Sequence, residues 1–346
     1  MAVRVDGRPI IPDIAGLTSH VEKSLNGREA LTVRAALDIL AHSGSGSPNV
    51  ENILDYLRTL AELPGDVPIH DIEPAAVEAA DRAVCGCIRS VLDVRLPDDR
   101  TPFHALAVWT RAVRRHAPIE LFTTNYDLLI EEALEASGVP YFDGFVGSYR
   151  PTFDIEAVEE DPLPKRWARL WKLHGSINWQ LTRSNQVVRA ASPVDDGGTM
   201  IYPSHLKYMQ SRRLPYLAML DRLRSFLRQP GAILISIGFG YRDEHINEVI
   251  QQALRSNPTA AVLALMYSKA SEYPEAIQLA GQTQNLSLVA RDEAIIGTHR
   301  ATWSPIDGNK ATSDLGDFGP FGDLLWELVG LSVNENSESP TTTAGE

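Results

Sequence analysis

Three short stretches carry residue types able to do chemistry. The first, Thr123-Thr124-Asn125-Tyr126-Asp127, sets hydroxyls, an amide and a carboxylate at the end of an apolar run. In open α/β sheets ligands bind outside the carboxyl ends of strands, so these side chains stand where a nucleotide would sit. The second, Trp171-Lys172-Leu173-His174-Gly175-Ser176-Ile177-Asn178-Trp179, delivers a histidine to the end of another apolar segment, and Gly175 lets the backbone pass close to a neighbour. A histidine, with a reference pKa of about 6.5, accepts a proton near neutral pH. In the third, Ile233-Leu234-Ile235-Ser236-Ile237 runs into Gly238-Phe239-Gly240, followed by Asp243, His245 and Asn247 on a helix. Glycines at a strand end permit close approach of a ligand to the backbone, although two glycines without a third match the dinucleotide fingerprint only weakly.

Each stretch also has a purely structural reading. Asn125 can cap a helix, with Asp127 in its first turn. His174 can be a structural histidine bonded to backbone. Trp171 and Trp179 read as core rather than as a stacking platform, and His245 as decoration on its helix. Taken singly, the motifs leave these alternatives open.

The elements that must position these residues follow from periodicity. Leu17, Val21 and Leu25 share one helical face, a second helix covers Arg28 to Leu40, and Ile53, Leu54, Leu57 and Leu60 form another stripe after a linker at His42–Pro48. Glu73-Pro74 opens a helix to about Leu92, and Thr101-Pro102 one to about His116. From there the pattern alternates: a strand at Ile119–Thr123, a helix from Asp127 to about Ser137 stopped by Gly138, a strand at Ala232–Ile237, a helix at Asp243–Arg255, a strand at Ala260–Met266, a helix around Pro274–Ala280 and a strand at Leu286–Ala290. Apolar strands alternating with helices predict an α/β fold, a Rossmann-like parallel sheet with helices on both faces. The expected organisation is a helical insert over about 14–117, a core over 118–330 with an excursion near 140–230, and a disordered tail from 331. Asp154–Lys165 and Ala191–Gly198 read as surface excursions.

With 44% hydrophobic and 22% charged residues, the composition is that of a globular protein. A net charge of −13 argues against general nucleic-acid binding, which relies on clustered Lys and Arg. Arg111, Arg114, Arg115 and His116 close a helix, where cations suit its dipole. No apolar run approaches the roughly 18–20 residues of a membrane span, and the start lacks the apolar core of a signal peptide. The two cysteines, Cys85 and Cys87, exclude a disulfide framework, offer no four-ligand zinc site and fit a reducing cytoplasm.

In order, strand–Thr-Thr-Asn-Tyr-Asp–helix, Lys-Leu-His-Gly-Ser with Trp179 beyond, and strand–Gly-Phe-Gly-Tyr-Arg-Asp-Glu-His-Ile-Asn–helix resemble the sirtuin superfamily, in the bacterial branch that includes NAD-consuming defence proteins. Ile11-Pro12-Asp13-Ile14-Ala15-Gly16-Leu17-Thr18 resembles the stretch just after that family's first phosphate loop, and Asn52–Leu57 its helical insert. Family members place a strand and a glycine-rich loop shortly before the Pro-Asp; here Met1–Ile11 precede it, with Gly7 the sole glycine. The resemblance implies that Asn125 holds a ribose hydroxyl or the attacking water, that Asp127 contacts the nicotinamide amide, and that His174 is the base. It further implies cofactor contacts at Asp13, Thr124, Gly175, Ser176, Gly238, Gly240 and Asp243, with NAD+ as substrate and no metal. The expected activity is NAD+ glycohydrolysis in antiphage defence, by a homo-oligomer or with a trigger such as a HerA-type ATPase. The alternatives are a catalytically impaired nucleotide-binding or scaffold subunit, and an NAD-dependent protein deacylase, which the missing zinc cysteines disfavour.

Overall fold

A computed structural model describes residues 3–5, 8–42, 48–63, 72–160, 163–182, 184, 186–190, 199–200, 215–304 and 312–330. The expected excursion at Ala191–Gly198, the tail from 331 and most of the His42–Pro48 linker lie outside these residues.

A short hairpin, β1 (Arg4–Val5) and β2 (Arg8–Pro9), leads into five consecutive helices: α1 (Ile14–Ser24), α2 (Gly27–His42), α3 (Val50–Glu62), α4 (Pro74–Leu92) and α5 (Pro102–Ala112). Local chemistry sets their ends. Asp13 caps α1 by accepting from Gly16 N, Asn49 and Asn52 form a reciprocal box at α3, and Thr101 and His104 do the same at α5. Pro74 and Pro102 each occupy a first-turn position, where the missing N–H costs nothing. Helices α1–α4 bury Leu17, Val21, Val33, Ile53, Leu54, Leu57, Val84 and Ile88 in a core of their own. Helix α5 instead packs on the sheet and ends at Val113, short of the expected His116, because Arg115 turns away to donate to the carbonyls of Lys165 and Arg166.

Strand β3 (Ile119–Thr123), helix α6 (Leu129–Ala136), β4 (Tyr141–Phe142) and β7 (Ala168–Lys172) build a parallel sheet in the order β3-β7-β4. Helix α6 ends at Gly138, whose φ of +64° suits a residue without a Cβ. After helix α8 (Tyr216–Arg228), a second sheet takes β11 (Ile233–Ile237), helix α9 (Glu244–Ser256), β12 (Ala261–Leu265), helix α10 (Pro274–Gln282) and β13 (Leu286–Val289), parallel in the order β11-β12-β13. An antiparallel hairpin, β14 (Glu293–Ile296) and β15 (His299–Thr302), extends its far edge, and α11 (Phe318–Leu328) closes the described chain.

The two sheets share their helical covers. On one face Phe122, Trp171, Leu234, Val262 and Ala264 pack with α8, α9 and α10. On the other Leu121, Leu170, Ile237, Leu263 and Leu265 pack with α5, α6 and α11. This is the doubly covered, Rossmann-like α/β arrangement the alternating pattern predicts. Between β4 and β7 the chain builds β5 (Phe145–Val146), β6 (Thr152–Phe153) and α7 (Ile155–Glu159), and beyond β7 come β8 (Trp179–Leu181), β9 (Val187–Arg189) and β10 (Thr199–Met200). These strands form an antiparallel sheet, β10-β8-β9-β6-β5, set against the first core through Phe145, Trp179 and Val187. Helix α7 is tied in as well: Asp154 caps it, and Val158 is buried in that core.

Helices α5 and α11 meet backbone to backbone at Gly322, where a Cβ would lie 2.9 Å from Pro102 Cα. Gly322→Ala is therefore expected to lower the unfolding free energy by about 1–3 kcal/mol, the usual range for overpacking. Urea denaturation of the two proteins measures the difference, and an unchanged midpoint would contradict the close approach.

Candidate active site

Strands β3 and β7 run parallel and end on one side, and the contact of His174 with Asp243 brings the stretch after β11 to the same place. The loop after β7 is laced to the loop after β3 by backbone bonds: Leu173 N donates to Thr123 O (2.8 Å), Ile177 N to Tyr126 O (3.0 Å), and the Ser176 hydroxyl also reaches Tyr126 O (3.4 Å). Gly175 takes φ +90°, the turn that this lacing requires. The ring of His174 consequently lies 6.3 Å from that of Tyr126, centroid to centroid.

The third stretch closes on the same point. His174 Nε2 is 3.0 Å from Asp243 Oδ2, and both side chains are 16% exposed. The other oxygen, Asp243 Oδ1, accepts from Ile246 N and so caps α9. Both carboxylate oxygens are thus engaged, and the histidine ring is held by a group that cannot swing. A carboxylate already seated at the N-terminus of α9 also occupies the place where that helix would otherwise favour a phosphate. Behind the turn, Tyr241 takes φ +56° with its ring fully buried; its hydroxyl lies 2.7 Å from Ser236 Oγ, and Asn247 donates to its carbonyl (2.6 Å).

The other expected site residues divide by environment. The backbone N–H of Asn125 is held by Thr123 Oγ1 (3.0 Å), while its half-buried side chain makes no hydrogen bond among the described residues. Helix α6 starts at Leu129, not Asp127, and its cap position, Leu128, gives no side-chain bond, so Asn125 does not cap it. Thr124 is half-buried beside Asn125. Asp127 is buried and accepts from Leu129 N (3.1 Å), and Ser176 is fully buried with its hydroxyl turned inward; both are placed as supports of the loop. Gly238 has φ +69°, and the Cβ position of Gly240 meets nothing nearer than Arg242 Cγ at 4.0 Å, which leaves room beside that backbone. Asp13 caps α1, and among the described residues no contact joins it to the His174–Asp243 pair. His245 sits half-buried on α9, outside the hydrogen bonds of the pair.

Two supporting residues escape a reading by motif. Lys172 is buried in β7, where its ammonium donates to Asp127 O and pairs with Glu131 Oε1 (2.9 Å). Burial pushes the Glu131 carboxyl above its ordinary range, and the neighbouring Lys172 opposes that shift. A lysine inside Leu170-Trp171-Lys172-Leu173 is the one signal available in the sequence: a charge in an apolar strand needs a partner. Tyr126 is the other; its hydroxyl donates to Glu51 Oε1 (3.0 Å) on α3, joining the site loop to the helical bundle.

With this geometry in view, residues 119–288 match the family model of the SIR2-like domain, a span containing all three stretches. No curated protein matches the chain.

Lys172→Met should destabilise the fold by about 3–5 kcal/mol, because it strands the buried Glu131 charge and frees the Asp127 carbonyl. Adding Glu131→Gln should recover part of that loss. Equal stabilities for the single and double variants in denaturant titrations would rule out the pairing.

Proposed function

The chain carries a SIR2-like domain at residues 119–288, and SIR2-like proteins are NAD-dependent enzymes; from that premise we propose that it hydrolyses NAD+ to nicotinamide and ADP-ribose. The observation that carries this reading is that the loop bearing Asn125, whose amide makes no hydrogen bond among the described residues, is laced by backbone bonds to the loop bearing His174, a histidine fixed by the carboxylate of Asp243.

The residues fit such a substrate. Gly240 leaves open backbone for a phosphate-bearing chain, and the Asn125 amide can donate to or accept from a ribose hydroxyl or a water. As the bond between ribose C1′ and the nicotinamide nitrogen breaks, positive charge builds on the ribose ring, and nicotinamide leaves as a neutral molecule. Water supplies the new C1′–O bond and gives up a proton. With Asp243 accepting from Nε2–H, the Nδ1 of His174 is the basic nitrogen that takes this proton and passes it to solvent. Asp243 fixes the tautomer and favours the imidazolium that forms, the role of the orienting carboxylate in a Ser-His-Asp triad. Holding water and ribose together removes much of the entropic barrier, and a nearby carboxylate suits developing positive charge.

The setting we propose, from the family resemblance, is NAD+ depletion in antiphage defence, in a homo-oligomer or under the control of a partner such as a HerA-type ATPase. Among the described residues no helix is long and apolar enough to cross a membrane.

Nicotinamide release from NAD+ by the purified protein, alone and with the product of an adjacent gene, tests the activity. His174→Ala and Asn125→Ala are each expected to lower kcat by about 10²-fold or more. Asp243→Asn can keep the helix cap but loses the charge, and should lower kcat by about tenfold or more with little change in KM. Absence of release from the wild type in every condition, or equal release from His174→Ala, would overturn the proposal.

A further inference from the structure

The turn that delivers Asp243 is bent against the preference of its own residues. Among the described residues two that are not glycine take a left-handed backbone, Tyr241 (φ +56°) and Thr298 (φ +69°). Thr298 follows Gly297 in the two-residue turn of the β14–β15 hairpin, where both central residues need positive φ. Tyr241 is in no hairpin; it lies between β11 and α9. A bulky side chain in this region is an outlier, because its Cβ crowds the backbone. Such a conformation persists only where its surroundings over-determine it, and it is found most often at working sites.

Three groups of contacts hold Tyr241 there. Its ring is fully buried and lies 4.7 Å from that of Phe239, centroid to centroid. Its hydroxyl, 2.7 Å from Ser236 Oγ, fastens the turn to the strand behind it. Asn247 grips the other side twice: its Nδ2 donates to Tyr241 O (2.6 Å), and its backbone N–H to Asp243 O (3.0 Å). Asn247 Oδ1 is buried without a partner among the described residues, so the bond to Tyr241 is what this side chain contributes. Tyr241 is no acid or base itself. Burial pushes its phenol up to about 12, the Ser236 hydrogen bond opposing that rise.

We propose that Tyr241 and Asn247 are positioning residues: the left-handed turn they enforce aims the Asp243 carboxylate so that one oxygen caps α9 while the other holds His174. Capping alone asks for one oxygen, and many approaches of the chain to the helix would supply it. Reaching His174 Nε2 at 3.0 Å with the second oxygen is a stricter demand, because it also fixes where the backbone of Asp243 must lie. A return of Tyr241 to negative φ would redirect the chain two residues before Asp243 and swing the carboxylate off the imidazole. Asn247 prevents this by tying the carbonyl of Tyr241 to α9, and Ser236 by tying its ring to β11. The effect on catalysis rests on the proposed cleavage of NAD+; the hold on the imidazole does not.

The tautomer of His174 reports that hold directly. It is read from the nitrogen-15 shifts of the ring in histidine-labelled protein, at a pH where the imidazole is neutral, with His174→Gln to assign the signals. The wild type is expected to show a single Nε2–H tautomer, and Asp243→Ala the averaged pattern of an unheld ring. Asn247→Leu keeps the branched shape without the donor. It should move His174 most of the way to that average and lower kcat about tenfold with little change in KM. Ser236→Ala combined with Tyr241→Phe removes both hydroxyls and strands neither, so it folds even where the Asn247 variant does not, and should shift the ring in the same direction. Gly322→Ala, which weakens the fold away from the site, should leave the wild-type pattern. Unchanged His174 shifts in the folded variants, averaging in the wild type, or equal averaging in Gly322→Ala would overturn the proposal. Shifts that move as expected in a protein that releases no nicotinamide would uphold it and overturn the hydrolase reading alone.

Discussion

The ammonium of Lys172 has to be neutralised inside the sheet, and much of the site follows from how that is done. An unpaired charge at that depth would cost several kcal/mol. The partners available are the Glu131 carboxylate on α6 and the carbonyl of Asp127, just before that helix. Satisfying Lys172 therefore fixes the path from β3 into α6, including the loop that carries Asn125. The following residue, Leu173, donates to Thr123 O, so one strand end sets the position of the other. His174 comes next and inherits a place rather than searching for one.

From that place the histidine reaches α9. Asp243 divides its two oxygens between the helix cap and the imidazole, so helix stability and ring orientation are coupled in one carboxylate. Such sharing gives a rigidly held imidazole, at the expense of an anion-binding helix terminus at the same spot. The site is thus assembled from three crossovers, and the stability of each is a condition for the geometry of the others.

The helical bundle is attached to this assembly rather than merely appended. Tyr126 bonds Glu51 of α3 with its hydroxyl, while its carbonyl holds Ile177 and Ser176. Ile177 is buried in the core of the bundle, and Tyr126 and Leu128 pack against it. A shift of α3 would be felt at the loop bearing Asn125 and His174 through packed groups with few alternative arrangements.

Strand β3, helix α9 and the α4 boundaries at Pro74 and Leu92 were legible in the sequence, because apolar periodicity and capping chemistry act over a few residues. The three site stretches could be found for the same reason, each being a polar cluster at the end of an apolar run. Three features were decided only by the tertiary structure. One is that the Asn125 side chain does not cap α6 and makes no hydrogen bond among the described residues, since the helix starts two residues later than Asp127, with Asp127 bonded to Leu129 instead. Another is that Asp243 serves His174, a pairing across 69 residues that no local pattern encodes. The last is that, among the described residues, β3 pairs only with β7 and β11 only with β12: an apolar strand reads the same whether its second edge is paired or open, because side-chain pattern records which face is buried and not which backbone lies alongside.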